Sequence, residues 1–250
     1  MTKHSFELGI ISAMLEEIHA LLPHLKSVSK IIKGKRTYYT GILFDKKVVL
    51  VFSRWGKVAA AATTTQLIND YTVKEIIFTG VAGALQPQLQ IGDIVIGDKL
   101  FQHDLDARPL YKQFEIPILK KEYFRTSNTK PLVLACENFL VQYHDFVEKS
   151  ASDEFEINDP KIHVGNIASG DQFVSELQTV KKINEKLPNA LCVEMEGAAV
   201  AQICFEYDIP FSIIRTISDK ANNNADIDFP KFSKSIASFY ALGILKNYLA

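Results

Sequence analysis

The chain reads Leu191-Cys192-Val193-Glu194-Met195-Glu196-Gly197-Ala198-Ala199-Val200-Ala201 where an apolar strand pattern changes into a helical one. Glu194 and Glu196 share one face while the backbone is extended, and they point apart once the helix begins. A buried carboxylate is destabilising by several kcal/mol unless it is paired or hydrogen-bonded. A further acid, Asp219, follows the apolar run 211–218. Acids at the ends of two neighbouring strands therefore indicate a ligand site rather than an ordinary surface.

The alternation of strand and helix patterns continues along most of the chain. Strands are predicted at 6–13, 37–43, 48–53, 74–80, 92–98, 162–169, 190–196 and 211–217. Helices are predicted at 15–25, 57–70, 129–143, 176–187, 197–207 and 230–248. Residues 44–47 predict a hairpin turn, whereas the alternation elsewhere predicts parallel strands covered by helices on both faces. We therefore predict one α/β domain over residues 1–250, with a central mixed, mostly parallel, twisted sheet in three layers.

Two segments interrupt this alternation. Residues 101–128 have little periodicity and include Asp104, Asp106, Pro109 and Pro117. They are too apolar for a solvated loop, which predicts a subunit interface or a substrate lid, with irregular core packing as the alternative. Residues 144–160 are rich in Asp, Glu, Lys and Ser and predict a solvated loop.

The composition limits the class of protein. Of 250 residues, 47% are hydrophobic and 23% charged, and the formal net charge is −1, which argues against nucleic acid as the main partner. The three cysteines are widely spaced in apolar stretches, which predicts reduced core thiols. The apolar stretch 8–14 is too short for a signal peptide, and no run approaches the ~18 apolar residues that span a bilayer. We predict a cytoplasmic protein without a membrane partner.

Ligands of open α/β sheets bind at the carboxyl ends of the strands. The segments there are 12–17, 80–84, 170–174, 194–196 and 218–219. Each has a simpler explanation when taken alone: acids in a first helical turn complement the helix dipole, and glycines serve tight turns. Together they predict a pocket for a neutral polar ligand with an apolar base. Few cations are expected to face it, Arg215 and Lys57 being the exceptions, so a phosphate ester would fit badly.

The run His103-Asp104-Leu105-Asp106 contains residue types that bind metals. No other histidine has the spacing of a second ligand, so no metal site is predicted. The glycines at 80 and 83 match neither G-x-G-x-x-G nor a Walker A loop. No cofactor is predicted.

A resemblance to a known family rests on a set of segments along the chain. They are Gly9–Met14 with Glu17, Gly56–Ala60, Thr79–Gly83, Ile91–Asp93, Ser169–Phe173, Val193–Glu196 and Arg215–Asp219. With these segments the chain resembles the bacterial 5′-methylthioadenosine/S-adenosylhomocysteine nucleosidases of the purine nucleoside phosphorylase superfamily. No single segment is specific, but the combination is, and only 144–160 lies outside the pattern.

The resemblance implies a hydrolase that releases adenine from 5′-methylthioadenosine and S-adenosylhomocysteine, and also from 5′-deoxyadenosine. Such a reaction needs a base for water, an acid for the purine and groups that hold the ribose. By resemblance, Glu17 activates water and Asp219 protonates adenine N7, for which burial of Asp219 would keep its proton near neutral pH. Glu196 would hold the ribose hydroxyls and Met195 would pack beneath the sugar.

The remaining site residues are also implied by the resemblance. Phe173 would stack on adenine and the backbone of Val174 would read its edge, while Ser218 and Arg215 would support the acid and the water. Glu194 would have a supporting role. The other substrate contacts implied are Met14, Trp55, Ala82 and Gly83, together with Leu110 and Pro117 from the 101–117 loop, which reaches the neighbouring site of a homodimer.

Two departures from the family affect substrate preference more than chemistry. Trp55 stands where the family often has a smaller aliphatic residue, and Val81 replaces a frequent serine beside the bound water. Three other activities stay open at this point. A phosphorylase is disfavoured because Glu17 would repel a phosphate dianion, a 6-amino-6-deoxyfutalosine hydrolase is not separated from the main reading, and a silent nucleoside-binding protein would lack one of Glu17, Glu196 and Asp219.

Overall fold

The computed structural model describes residues 5–127, 129–222 and 225–250. Its strands are β1 (Leu8–Ser12), β2 (Lys26–Lys33), β3 (Arg36–Leu43), β4 (Lys46–Phe52), β5 (Ile76–Ala84), β6 (Ile94–Gln102), β7 (Phe124–Arg125), β8 (Ile162–Ser169), β9 (Ala190–Glu194) and β10 (Phe211–Asp219). Its α-helices are α1 (Lys57–Tyr71), α2 (Lys130–Val141), α3 (Tyr143–Phe146), α4 (Lys149–Glu154), α5 (Leu177–Lys186), α6 (Gly197–Glu206), α7 (Ala225–Phe232) and α8 (Ser238–Leu249).

The strands form one mixed sheet with the order β10-β6-β8-β9-β5-β1-β4-β3-β2, and β7 pairs with β6. β1 is parallel to both β4 and β5, and β5 is parallel to β10. β10 and β6 pair antiparallel, as do β5 and β9, while β8 is parallel to β6 and β9. These pairings close five strands into a ring, β5-β10-β6-β8-β9, at one end of the sheet.

Alternate residues of the central strands enter two separate cores. Ile10, Ile77 and Ile214 belong to one buried cluster, which also contains side chains of α2 and α8. Their neighbours Ile11, Phe78 and Ile213 belong to the cluster that contains side chains of α1 and α6. Successive side chains of a strand point to opposite faces, so these apolar runs require a helical layer on each side of the sheet. The predicted three-layer α/β class is confirmed.

The predicted elements were wrong in several places. Residues 15–25 form two 3₁₀ helices, Leu15–Glu17 and His19–His24, rather than one α-helix. The second contains Pro23, which lacks the N–H that a longer helix needs. β2 was missed because it is an exposed edge strand without apolar alternation. The last helix begins at Ala225 and is interrupted by a π-helical turn, Ser233–Ala237.

Segment 144–160 is not the solvated loop that its composition predicts. It contains most of α3 and all of α4, and Val147, Ser152 and Ile157 are buried. The hydroxyl of Ser152 donates to Tyr143 Oη at 3.1 Å. A few buried residues thus fix a segment whose seven Asp, Glu and Lys side chains are all exposed. Among the described residues, no helix is both long and apolar enough to cross a membrane.

Candidate active site

One cleft collects side chains from the carboxyl ends of β1, β8, β9 and β10 and from the last residues of β5. It holds about 550 Å³ of empty space, open solvent included, within the range of roughly 300–1,000 Å³ typical of small-molecule sites. It is lined by Ala13, Met14, Glu17, Trp55, Val81, Ala82, Gly83, Gln172, Phe173, Val174, Val193, Glu194, Met195, Glu196, Ser218, Asp219 and Phe229.

Glu17 is buried on the β1 side of this cleft. Its Oε2 accepts the N–H groups of Ala13 at 2.8 Å and Met14 at 2.9 Å, and its Oε1 accepts the N–H of Val81 at 3.1 Å. Burial raises the pKa of Glu17, against the charge of Arg215 and the three N–H groups. A carboxylate with a raised pKa is a stronger proton acceptor than an exposed one.

Asp219 ends β10 on the other side of the cleft. Its Oδ2 accepts the Ser218 hydroxyl at 2.8 Å and its Oδ1 accepts the N–H of Ala221 at 2.8 Å. Burial raises the pKa of Asp219, although both of these bonds lower it. Burial therefore favours the protonated carboxyl of Asp219, and the two hydrogen bonds stabilise the carboxylate that remains after the proton has left.

Two glycines of β5 fix the separation of these acids. A Cβ at Gly80 would lie 2.6 Å from Oε1 of Glu17, and one at Gly83 would lie 2.9 Å from Oδ1 of Asp219. Each acid thus packs directly on the backbone of the strand. Gly80 and Gly83 are three residues apart on β5, so the backbone between them sets how far apart the two acids lie along the cleft that both of them line.

Glu196 immediately precedes α6 and is also buried. Its Oε1 accepts the N–H of Gly56 at 2.8 Å. Burial, with the charge of Glu194, raises the pKa of Glu196 to about 8. With one bond to protein recorded, this carboxylate keeps acceptor capacity for a ligand hydroxyl.

Glu194 has different surroundings. Its Oε2 lies 2.6 Å from Nη2 of Arg215 and accepts the N–H of Glu196 at 3.0 Å. Its carboxylate also accepts the N–H of Gly197 and the hydroxyl of Ser169. Arg215 donates in turn to the carbonyl of Ile214 at 2.9 Å. The pair is buried, so Glu194 supports the Glu196 backbone and Arg215.

Three aromatic rings border the opening of the cleft. Phe229 lies edge-to-face against Trp55, with centroids 5.9 Å apart, and against Phe173 at 5.6 Å. Trp55 is 53% exposed and Phe173 is 39% exposed. Exposed aromatic faces beside buried acids suit a ligand that carries a flat, apolar ring.

Most of the predicted site residues lie together in the cleft. The exceptions are Arg215, Leu110 and Pro117. Arg215 lies behind Glu194, and Leu110 is 84% exposed, so neither reaches the cleft of its own chain. Lys57, expected to face the pocket, instead pairs with Asp104 at 2.5 Å.

Five lining residues were not named as substrate contacts from the sequence: Ala13, Val81 and Gln172, which lie in segments expected at this edge of the sheet, and Val193 and Phe229. Most of them adjoin predicted residues, and adjacency was the available signal. No sequence signal pointed to Phe229. It lies in α7, far along the chain from Trp55 and Phe173, and contacts them only in the folded protein.

Within the described ranges no group of His, Cys, Asp and Glu side chains could hold a metal ion. Asp104 and Asp106, from the run that carries metal-binding residue types, pair with Lys57 and Arg108. Among the described residues that line the cleft, none is Lys, Arg or His. The site is an acidic and aromatic cleft suited to proton transfer on a neutral ligand.

Comparisons with known proteins agree with this geometry. The sequence profile of the phosphorylase superfamily matches residues 7–250. The 5′-methylthioadenosine/S-adenosylhomocysteine nucleosidase of Staphylococcus aureus (strain bovine RF122 / ET3-1) is 38% identical over 231 residues, 92% of this chain and 93% of that protein.

Solved structures give the same result. The 5′-methylthioadenosine/S-adenosylhomocysteine nucleosidase of S. pneumoniae with a transition-state inhibitor has a TM-score of 0.81 at 33% identity, covering 97% of this chain and 98% of that one. The futalosine hydrolase of Helicobacter pylori has a TM-score of 0.80 at 30% identity, covering 98% and 97%. The chain therefore belongs to the phosphorylase superfamily and, within it, to the family of the 5′-methylthioadenosine/S-adenosylhomocysteine nucleosidases.

Proposed function

We propose that this protein hydrolyses the N-ribosidic bond of 5′-methylthioadenosine and S-adenosylhomocysteine, and of 5′-deoxyadenosine, and releases adenine. The observation that carries the proposal is the pair of buried acids, Glu17 and Asp219, which pack on the backbone of β5 and line the same cleft. The nucleosidases to which the chain is similar support the choice of substrate.

The water side of the reaction belongs to Glu17. Its carboxylate is fixed by the three backbone N–H groups of Ala13, Met14 and Val81, which orient it without neutralising it. It accepts a proton as the water oxygen bonds to C1′ of the ribose. Burial raises its pKa, which brings a carboxylate base closer to the working pH.

The leaving-group side belongs to Asp219. As the bond between C1′ and the purine breaks, electrons move into the ring, and Asp219 donates its proton to N7. Ser218 and the Ala221 N–H then stabilise the carboxylate that forms. Phe173 and the backbone of Val174 place the adenine so that N7 faces this acid.

The ribose lies between the two acids. Glu196 accepts hydrogen bonds from the ribose hydroxyls, and Met195 packs beneath the sugar. Ala82 and Gly83 bring the backbone of β5 close to the ligand. Arg215 acts from behind through its ion pair with Glu194, as a positioning residue.

Water, rather than phosphate, is the nucleophile that suits this cleft. A phosphate dianion would meet the carboxylate of Glu17, and the described lining residues offer no cation in exchange. Like charges at close range repel strongly where water is excluded. Adding phosphate to an assay and looking for a ribose 1-phosphate product tests this point.

The second candidate substrate is 6-amino-6-deoxyfutalosine, which presents the same base and ribose. The similarity to a futalosine hydrolase supports 6-amino-6-deoxyfutalosine as this second candidate. Met14 and Trp55 lie where a 5′ substituent would leave the cleft, so they set the preference.

We also propose that the protein is a homodimer and that it is cytoplasmic. The 101–117 loop would reach the neighbouring site of a homodimer, with Leu110 and Pro117 as its contacts. In support, Leu110 is 84% exposed, and Ile118 just beyond the loop is 89% exposed. The three cysteines are buried and unpaired, which fits a reducing cytoplasm. Gel filtration with light scattering tests the dimer.

The decisive experiment measures adenine release from 5′-methylthioadenosine, S-adenosylhomocysteine, 5′-deoxyadenosine and 6-amino-6-deoxyfutalosine under the same conditions. We expect kcat/KM to be highest for one of the first three. A preference of about 100-fold for 6-amino-6-deoxyfutalosine, roughly 2.7 kcal/mol of transition-state discrimination, would select the alternative, and no adenine from any substrate would refute the proposal.

A further inference from the structure

The carboxylate of Glu196, the proposed ribose ligand, accepts one hydrogen bond from the described part of the chain. Its Oε1 accepts the N–H of Gly56 at 2.8 Å. Gly56 has φ +90°, a conformation that glycine adopts without strain and other residues rarely do. The position of this one N–H therefore decides where the Glu196 carboxylate rests.

Gly56 is the residue immediately before helix α1, and it has no side chain to cap the helix. Asp171, from the loop after β8, supplies the missing acceptor. Its Oδ1 accepts the N–H of Lys57, the first residue of α1, at 2.7 Å. The first turn of α1 contains no acid, so a carboxylate from another part of the chain satisfies this helix end.

Asp171 is itself held in place. Its N–H donates to Oδ2 of Asp104 at 2.9 Å, and Oδ1 of Asp104 lies 2.5 Å from Nζ of Lys57. Nζ of Lys57 also donates to Gln102 at 3.2 Å. Lys57, Asp104 and Asp171 thus tie together the loops that follow β4, β6 and β8.

An ordinary surface ion pair does not have these contacts. The pair Lys149–Asp153 joins two exposed side chains of one helix, and such pairs contribute little. In the Lys57–Asp104–Asp171 cluster two backbone N–H groups are bound by carboxylates. One of them lies next to Gly56, and Asp171 lies two residues before Phe173. The cluster therefore fixes the loops on either side of the ligand.

We propose that Asp171 is a positioning residue that holds the Gly56 N–H against Glu196 and thereby fixes the carboxylate that binds the ribose hydroxyls. The inference rests on the proposed function, since it assigns Glu196 to the ribose. Asp171 touches no reacting atom and acts through Lys57, Gly56 and Glu196. It does not line the cleft.

The test compares two substrates that differ in the ribose alone, 5′-methylthioadenosine and its 2′,3′-dideoxy analogue. In Asp171→Ala the helix end loses its acceptor and the Gly56 N–H can shift, and we expect kcat/KM for the ribonucleoside to fall about five- to tenfold, less than the roughly 100-fold that a misplacement of about 1 Å can cause. For the dideoxy analogue we expect a change of less than about twofold, because Glu196 has no hydroxyl to bind.

A conservative variant and a matched control separate positioning from general destabilisation. Asp171→Asn keeps an oxygen that accepts the Lys57 N–H, so it should restore most of the lost kcat/KM. Asp104→Ala leaves Asp171 in place but removes the carboxylate that binds its N–H. We expect it to lower kcat/KM for the ribonucleoside and not for the dideoxy analogue, by a smaller factor than Asp171→Ala does. Asp153→Ala removes an exposed pair on α4 and should behave as wild type on both substrates. Tm is recorded for every variant.

An equal loss on both substrates, or no loss on either, would overturn the role of Asp171 while the wild-type enzyme still released adenine. Failure of the wild type to release adenine from the ribonucleoside would instead overturn the proposed function, and this inference with it. Unequal loss that Asp171→Asn restores is the supporting result.

Discussion

Two kinds of buried acid lie at the same edge of the sheet. Glu194, the paired acid, has both oxygens occupied by Arg215, Ser169 and the N–H groups of Glu196 and Gly197. All four acids line the cleft, but Glu17, Glu196 and Asp219, which we call the cleft acids, form no ion pair in the described part of the chain.

The difference shows how environment divides roles among identical groups. The charge of the paired acid is compensated, so Glu194 organises the fold around it. The cleft acids have hydrogen bonds but no ion pair, and burial outweighs these contacts and raises the pKa of each. Buried carboxylates in a cleft whose pKa is raised are where proton chemistry is expected.

The largest expected effect is the loss of the proton donor. Asp219→Asn keeps a polar side chain but cannot give a proton to N7. We expect kcat for adenine release to fall by about 10²- to 10⁴-fold, the usual contribution of a general acid, with little change in Tm. Steady-state kinetics with 5′-methylthioadenosine measure it. Turnover within a few-fold of wild type would show that Asp219 is not the proton donor.

The next effect is on stability and concerns the paired acid. Glu194→Ala leaves Arg215 buried without a carboxylate, and breaking a buried pair in this way costs about 3–5 kcal/mol. Denaturant unfolding should show this loss. The double variant Glu194→Ala, Arg215→Met should lose less than the sum of the two single changes. Additive losses would contradict the view that the two residues act as a unit.

The pH dependence of stability separates the two kinds of acid. Burial raises the pKa of Glu196 from 4.5 to about 8, so the folded state binds a proton that the unfolded state has released. The stabilisation is present below about pH 4.5 and is lost as the pH rises through about 8. At about 1.4 kcal/mol per pKa unit, the loss amounts to a few kcal/mol.

Glu196→Gln should flatten this part of the profile, and it should raise the free energy of unfolding at pH 8 relative to wild type. Chemical denaturation between pH 5 and 9 provides the comparison. An unaltered slope in the variant would mean that Glu196 is compensated in solution, as Glu194 is.

The smallest effect is expected at the aromatic rings that border the opening of the cleft, where there is no acid. Trp55→Ala removes a large apolar surface beside the proposed 5′ pocket. Such contacts discriminate by about 1–3 kcal/mol, so the ratio of kcat/KM between S-adenosylhomocysteine and 5′-methylthioadenosine should change about tenfold. An equal drop in kcat for every substrate would place Trp55 in the chemistry instead of the preference.

Much of the fold was predictable because the central strands are apolar on both faces and alternate along the chain with segments of helical pattern. The parts that were not have local causes. β2 is an exposed edge, and segment 144–160 hides a few buried residues among many charges. The antiparallel pairing of β9 with β5, which closes the strand ring, depends on long-range register.

The site was predictable to a similar extent. The acids could be located because carboxylates at strand ends are conspicuous in an apolar sequence, and the family resemblance assigned them roles. Phe229 could not, since only folding brings α7 to Trp55 and Phe173. Arg215 could be singled out, but its pairing with Glu194 depends on two side chains 21 residues apart.

We assign the activation of water to Glu17, a buried acid that forms no ion pair in the described part of the chain. Glu17→Gln tests it most directly when adenine release and unfolding are measured on the same preparation at neutral pH. We expect turnover to fall by at least about 100-fold. We also expect Tm to stay the same or to rise, because a charge whose pKa burial raises has been removed. Near-native turnover, or a Tm that falls together with activity, would contradict this assignment.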